Sequence, residues 1–320
     1  MKNSRVTKLF EIKYPIVQGG MIWCAPWELA AAVSNAGGLG LIGSGSMQPD
    51  VLRHHIRRCR ENTDKPFGVN IPLMYPHADQ HIQILIEEKV PLAFTSAGNP
   101  AKWTSTLKSQ GIRVAHVVSS ARFARKAEDA GVDAVVAEGF EAGGHNGREE
   151  TTTLCLVPQV RNAVDIPVIA AGGIGSGRAM LAAFAMGAEG VQIGSLFAAC
   201  EESSAHKLFK QAIVNTEEGQ THLVLKQLSP VRLIENEFYR KVADAEVRGA
   251  TDEELSALLG KGRAKKGMFD GDLLEGELEI GQVSAQIGEI RSAAEVIKRL
   301  MEEYRDALRD FREGKWDADD

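Results

Sequence analysis

The sequence predicts an α/β protein: a (β/α)8 TIM barrel with a smaller helical subdomain inserted after the eighth strand. Three observations predict it. Short apolar runs recur eight times, each leading into glycine or polar residues and then into a helical pattern. They begin at positions 14, 39, 67, 92, 113, 134, 168 and 190, a rhythm of one strand and one crossover helix per unit. Glycine-rich segments follow the strands, on what would be one end of a barrel. Runs that are apolar throughout, rather than alternating, belong to parallel sheets covered on both faces. Eight such units favour closure into a barrel. An open, doubly wound sheet is the other arrangement of the same rhythm.

The expected strands cover residues 14–18, 39–42, 67–70, 92–95, 113–117, 134–138, 168–170 and 190–193. Between the first two, Pro26-Trp-Glu-Leu-Ala-Ala-Ala-Val-Ser-Asn supplies good helix formers and stops at Gly37-Gly38. A second stretch, from Ser119 to Ala130 before Gly131, repeats the scheme with serine at its start, and residues 178–186 before Gly187 repeat it again. After the eighth strand the rhythm breaks. Residues 201–282 are too many for a βα connection. They hold a helix of their own, from Thr251 to Gly260, with Thr251 and Glu254 as a capping box. The domain plan is therefore a barrel from 1–200 and 288–320 with an inserted lid or substrate subdomain at 201–287. A second capping box, Ser292 with Glu295, opens the last barrel helix. Its apolar positions Val296, Ile297, Leu300, Met301, Tyr304, Leu308 and Phe311 fall at helical spacing. The tail from Gly314 is expected to fray.

Bulk properties narrow the partners. A chain of 320 residues, 44% hydrophobic, can bury a substantial core. A net charge of −6 argues against nucleic acid, whose phosphates attract basic surfaces. No apolar run approaches the roughly 18 residues of a membrane span, and Met1-Lys-Asn-Ser-Arg-Val lacks the apolar core of a secretory signal. Cysteines at 24, 59, 155 and 200 are far apart, as reduced thiols of a cytoplasmic protein would be, and form no zinc or disulfide pattern.

The chemistry should sit at the carboxyl ends of the strands. The sixth strand runs into Glu138-Gly-Phe-Glu-Ala-Gly-Gly-His145-Asn-Gly147, one imidazole between two sets of glycines. Such glycines let backbone approach a ligand closely; a solvated turn with a bystander histidine is the plainer explanation. The first strand ends in Gln18-Gly-Gly-Met21, the second runs into Gly43-Ser-Gly-Ser46, the third ends at Asn70 and the fourth at Thr95-Ser-Ala-Gly98. The seventh runs into Ala171-Gly-Gly-Ile-Gly-Ser-Gly177 and the eighth into Gly194-Ser195. Loops after strands seven and eight commonly hold phosphate in barrels. Gly172, Gly173 and Gly175 offer backbone N–H groups there, and Gly194 and Ser195 an amide and a hydroxyl. Neither a Walker nor a Rossmann pattern is present. The phosphate of a mononucleotide cofactor fits best, with a phosphosugar as the alternative.

The combination Pro15-Ile-Val-Gln-Gly-Gly-Met21, Ala36-Gly-Gly-Leu-Gly40, Pro66-Phe-Gly-Val-Asn70, the stretch from Glu138 to Gly147, Ala170-Ala-Gly-Gly-Ile174 and Val191-Gln-Ile-Gly194 resembles the nitronate monooxygenase and FMN-dependent enoyl-ACP reductase II family. The resemblance covers almost the whole chain, including Gly281-Gln282. It implies an FMN-dependent oxidoreductase. Asn70 and Gln192 would contact the flavin, Met21 would lie along its ring, and Gly143, Gly173, Gly194 and Ser195 would hold it or its phosphate. Gly20, Glu138, Gly172 and Gln282 complete the implied cofactor set, and His145 matches the catalytic histidine. Two chemistries share the family: oxygen-dependent oxidation of alkyl nitronates, and NAD(P)H-dependent reduction of trans-2-enoyl thioesters carried by acyl carrier protein or coenzyme A. Glu138, where nitronate monooxygenases carry glutamine, leans toward the reductase and fatty acid biosynthesis. Ser195 departs from the usual threonine but keeps a hydroxyl, and the position of Asn146 varies between the branches. The resemblance also implies a homodimer. Gly262-Arg-Ala-Lys-Lys-Gly267 is a small basic patch that would suit an acidic carrier or an NADPH phosphate, or a solvated loop. His206 falls in a family-like segment, and Trp23 and Trp27 stand beside Met21, either as pocket walls or as core.

Overall fold

The computed structural model describes residues 4–314. Eight parallel strands form one sheet: β1 (Ile16–Gln18), β2 (Gly40–Gly43), β3 (Phe67–Pro72), β4 (Leu92–Ser96), β5 (Arg113–Val118), β6 (Ala134–Glu138), and, after the short strand β7 (Gly144–His145), β8 (Val168–Ala171) and β9 (Gly190–Ile193). The order around the sheet is β1-β9-β8-β6-β5-β4-β3-β2. Its two ends meet. Leu39 N donates to Ile16 O at 2.8 Å, and Gln18 N donates to Leu39 O at 2.9 Å. Buried Gln18 adds to the seam, its Oε1 accepting from Leu41 N at 2.9 Å. The sheet is thus a barrel, and the open-sheet alternative falls away. The seventh and eighth expected strands are β8 and β9.

Around it run α2 (Trp27–Asn35), α3 (Pro49–Asn62), α4 (Ala78–Glu87), α5 (Thr104–Ser109), α6 (Ala121–Asp129), α7 (Thr153–Arg161), α8 (Gly177–Ala185) and the last helix, α13 (Ala293–Arg312). The Ser292–Glu295 capping box forms as expected, with both side-chain-to-backbone bonds present. The tail beyond Gly314 lies outside the described residues.

Val17, Leu41, Phe94, Val136 and Ile169 fill the barrel interior. A helix the sequence reading did not foresee, α1 (Arg5–Phe10), adds Val6 and Phe10 to this layer. The Phe10 and Phe94 rings stand 5.5 Å apart; burying each aromatic side chain stabilises the fold by about 1.5–3 kcal/mol. With this layer packed, the open space lies toward the carboxyl ends of the strands.

The inserted segment is not purely helical, as had been expected. After the short α9 (Ser195–Ala198) come α10 (Lys207–Val214), a hairpin of β10 (Thr221–Val224) and β11 (Val231–Ile234), then α11 (Glu237–Val247) and α12 (Asp252–Leu259). The Thr251–Glu254 capping box opens α12. The hairpin pairs with β7, making a three-stranded antiparallel sheet in the order β10-β11-β7. Among the described residues no helix is long and apolar enough to cross a membrane, and all four cysteines are free.

Helix α2 lies on β2 so closely that a Cβ at Gly40 would stand 1.9 Å from Ala30 O. Gly40→Ala should therefore cost about 1–3 kcal/mol through overpacking. Urea denaturation measures it, and a variant as stable as the parent would contradict this contact.

Candidate active site

The strand ends open into one cavity of about 670 Å³, within the usual range for cofactor and small-molecule sites. Asn70 on β3 is buried, and its Nδ2 donates to Gly20 O at 3.2 Å. A Cβ on Gly20 would lie 2.1 Å from Asn70 Cβ, so the β1 loop crosses here only because position 20 has no side chain. Glu138 ends β6 and Gln192 lies on β9, both half-buried in the cavity wall. Burial pushes the Glu138 carboxyl up to about 7.

The loops after β8 and β9 form the next wall. Gly172 and Gly173 have φ of +87° and +69°, left-handed backbone that glycine adopts at little cost. Ser195 Oγ accepts from Gly281 N at 3.1 Å, which leaves the hydroxyl proton free to be donated.

The loop after β6 carries His145, and the insert holds it. His145 lies opposite Val231 and Gly144 opposite Arg232 in the β7–β11 ladder. Asn146 N donates to Pro230 O at 2.9 Å, while its side-chain amide bonds Ala142 O and Gly144 O at 2.9 and 3.0 Å. Arg232 is only 2% exposed. Its Nε donates to Phe140 O at 3.2 Å, its Nη1 to Thr221 O at 3.1 Å, and the guanidinium lies 4.5 Å from the Phe140 ring centre. Glu141 accepts from the Thr153 N–H at 2.9 Å, a carboxylate at the amino end of α7 where the helix dipole favours it. Gly143 lies flush on the chain at 280–281; a Cβ there would stand 2.4 Å from the Ile280 carbonyl carbon.

His145 is exposed to the cavity. The protein around it still desolvates the ring enough to hold its pKa below the ordinary value, with the charge of Glu277 opposing. Glu279 lines the cavity and Glu277 is buried beside it. Burial pushes both carboxyls up to about 7, and their mutual repulsion adds to the shift of Glu277.

Of the twelve expected site residues, eleven line this cavity: Gly20, Met21, Asn70, Glu138, Gly143, His145, Gly172, Gly173, Gln192, Gly194 and Ser195. Gln282 does not. It is exposed, and its backbone N–H donates to Glu141 O at 3.0 Å. The sequence reading missed Glu141, Arg232, Glu277 and Glu279. Glu141 sits inside the glycine stretch itself, and the alternation Glu277-Leu-Glu-Ile280 is a strand pattern that was available to be read. It also missed that His116, Ser119 and Phe123 line the cavity. There His116 Nδ1 lies 2.7 Å from Thr95 Oγ1, and burial lowers the imidazole to about 4.

The basic patch turns out to be neutralised within the insert. Arg263 pairs with Glu275 at 3.1 Å, Lys265 with Asp270 at 3.6 Å and Lys266 with Asp272 at 3.1 Å. His206 caps α10, accepting from Leu208 N at 3.2 Å. Trp23 packs on Phe269 at 5.5 Å, and Trp27 N donates to His55 Nδ1 at 3.0 Å; neither indole is part of the cavity lining.

A family model described as nitronate monooxygenase matches residues 3–303. The chain belongs to the nitronate monooxygenase family. It is an enzyme, an oxidoreductase of a family of flavin enzymes. Within the family it is 36% identical over 315 residues to a probable nitronate monooxygenase of Staphylococcus saprophyticus, covering 83% of this chain and 88% of that protein. Among solved structures it is similar to FabK from Thermotoga maritima, with 45% identity, a TM-score of 0.93, and 97% and 99% of the two chains covered. It is also similar to nitroalkane oxidase from Streptomyces ansochromogenes, with 30% identity, a TM-score of 0.82, and 96% and 99% covered.

The raised carboxyls of this nitronate monooxygenase family member carry a stability consequence. A carboxyl at about 7 in the folded state and near 4.5 unfolded binds more protons folded than unfolded between those values. Its contribution is therefore complete below pH 4.5 and lost as pH rises through 7. Glu279→Gln should reduce the fall in melting temperature between pH 5 and pH 8. Thermal unfolding at the two pH values checks this, and an unchanged difference would count against a buried, protonated Glu279.

Proposed function

We propose that this chain is an FMN-dependent enoyl thioester reductase, reducing trans-2-enoyl groups on acyl carrier protein or coenzyme A with NAD(P)H for fatty acid biosynthesis. We place it in the cytoplasm, acting as a homodimer. The observation that carries this proposal is the likeness to FabK, an enoyl-ACP reductase II, at 45% identity against 30% for nitroalkane oxidase. Glu138 at the end of β6 supports it, being the residue that the resemblance associates with the reductase branch.

The residues of the cavity fit an FMN. Gly172 and Gly173 hold the left-handed backbone that bares their amides, Ser195 keeps a free hydroxyl proton, and Gly143 and Gly20 let backbone close in where any Cβ would collide. Bound there, the flavin would supply hydride transfer. The remaining work falls to the chain. The amides of Gly172, Gly173 and Gly194 and the Ser195 hydroxyl would hold the phosphate, Asn70 and Gln192 would orient the ring, and Met21 would lie along it. The inserted segment closes over the cavity as a lid and substrate wall.

His145 is the proposed catalytic residue. Its pKa is depressed, so it stands neutral near pH 7, with one N–H to donate. No described residue occupies its ring nitrogens by a hydrogen bond, so that N–H is free for the thioester carbonyl oxygen or for the carbon that must be protonated. A positioned acid of this kind typically contributes 10²–10⁴-fold. A second activity is favoured by the name of the staphylococcal relative: oxidation of alkyl nitronates with oxygen, with His145 beside the substrate.

Purified protein should be yellow, or become so with FMN. Anaerobic NAD(P)H oxidation with crotonyl thioester should be robust, and His145→Ala should lower it by roughly 10²–10⁴-fold. Rapid oxygen uptake with an alkyl nitronate and no enoyl reduction would reverse the choice between the two chemistries. Protein that stays colourless in excess FMN would reject both.

A further inference from the structure

We propose that Glu279 and Glu277 form a proton store for His145: the three side chains stand in one row, and a carboxyl proton passes through the imidazole to the substrate. This inference rests on the reductase proposal above and names the source of the proton that reaction consumes.

The row follows from the register of β11. One edge of β11 is covered by β10; the other binds two separate pieces of chain, end to end. His145 lies opposite Val231, and Glu279 lies opposite Leu233. Ile234 N then donates to Leu278 O at 2.9 Å, so the pairing continues and brings Glu277 level with Glu235. Strand side chains alternate between faces, so the residues level with 231, 233 and 235 share one face, spaced by ~7 Å along the strand. Gly144, level with Arg232, directly precedes His145 on this edge. A Cβ at Gly144 would stand 2.6 Å from Glu279 Oε2, so the carboxyl reaches back along the edge to the residue that precedes His145. Glu279 and His145 line the same cavity, and Glu277 is buried behind them.

The surroundings leave the pair without a counter-ion. Arg263, the cation nearest Glu277 in effect, spends its guanidinium on Glu275 and on the carbonyls of Leu258, Leu259 and Glu275. From the other elements the carboxyls face the Tyr75 phenol, the Cys24 thiol and, across the cavity, Glu138, all neutral or acidic. Two neighbouring carboxyls shielded from water resist ionising together, and near neutral pH they hold a proton between them. Their elevation to about 7 agrees with this.

A neutral imidazole cannot give up its only N–H proton unless that proton is replaced. The row supplies the replacement. As the α-carbon of the thioester enolate takes the proton from one ring nitrogen, the other ring nitrogen takes the carboxyl proton of Glu279. The old N–H and O–H bonds break as the new C–H and N–H bonds form. The imidazole is neutral before and after but has exchanged one N–H tautomer for the other, and the pair has lost a proton. A proton from water at the cavity mouth to the substrate-facing nitrogen, with the other ring nitrogen returning its proton to the carboxylate, resets both.

The experiment uses the FMN-loaded enzyme with Glu279→Gln, Glu277→Gln and both together. His145 is followed by NMR of its Cε1–H, assigned by its loss in His145→Ala. Its titration midpoint should fall in each variant, because an anionic neighbour favours the imidazolium. In stopped flow, reoxidation of the reduced enzyme by crotonyl thioester should slow by roughly 10- to 100-fold with little change in KM, while flavin reduction by NAD(P)H serves as the internal reference. Glu279→Asp, which keeps a carboxyl, should recover part of the rate. An unmoved His145 midpoint with unchanged reoxidation in the double variant overturns the proton store. A wild-type enzyme that reduces no enoyl thioester, yet whose His145 midpoint falls in the variants, overturns the reductase proposal and supports the coupling of the row.

Discussion

Everything at this site depends on how a two-residue strand is held. β7 is too short to persist alone, since an isolated pair of strands is marginal in water even at greater length. It persists because β11 offers an edge, Gly143 lies flat on the chain at Ile280–Gly281, and Arg232 reaches back to Phe140 O. Burying a guanidinium costs several kcal/mol unless its hydrogen bonds are met. Here two carbonyls and an aromatic face meet most of that demand, and Nη2 is left without a partner. The barrel supplies the loop that bears His145, but the insert decides where His145 stands. A residue of the His145 loop and a residue of the insert are therefore one mechanical unit.

The same contact sets the electrostatics. Drawing the segment 277–281 against the His145 loop brings Glu279 into a wall that already contains Glu138, with Glu277 buried close by. Among the described residues none of the three forms an ion pair with a lysine or arginine, and each is raised by burial to about 7. The surface of the protein behaves differently. There the basic cluster of the insert is paired residue by residue with carboxylates, an arrangement that costs little and contributes little. Buried carboxyls raised toward neutrality and gathered at one cavity mark it as the place where a change of protonation near pH 7 would act.

Much of this was legible in the sequence, and the exceptions have physical causes. The barrel strands could be read because they are short, largely apolar runs at a regular spacing, and the carboxyl-end glycines because they cluster there, several of them, such as Gly20, Gly43 and Gly143, where a Cβ would collide. Both capping boxes could be read because they are local, three residues apart. The β10–β11 hairpin could not, since its partner is a two-residue strand with no periodicity to detect, about ninety residues away in the chain. Helix α1 escaped because six residues with two buried apolar anchors make too brief a pattern. Gln282 was included through its neighbour Gly281. The structure buries Gly281 beside Ser195 Oγ and turns Gln282 outward.

The residues that would hold a flavin do not distinguish the two chemistries of the family, because both need the same ring in the same place. Protons do distinguish them. Saturating an enoyl thioester adds a hydride and a proton to carbon, so each turnover must be stocked with a proton that survives at neutral pH inside a desolvated site. Oxidising a nitronate with oxygen requires no proton delivered to the carbon. A bare imidazole held neutral beside the substrate would serve the second reaction well enough. A neutral imidazole in line with carboxyls that stay protonated up to about pH 7 is suited to the first, and removing the carboxyls while keeping the imidazole would leave a site fitted mainly for the second.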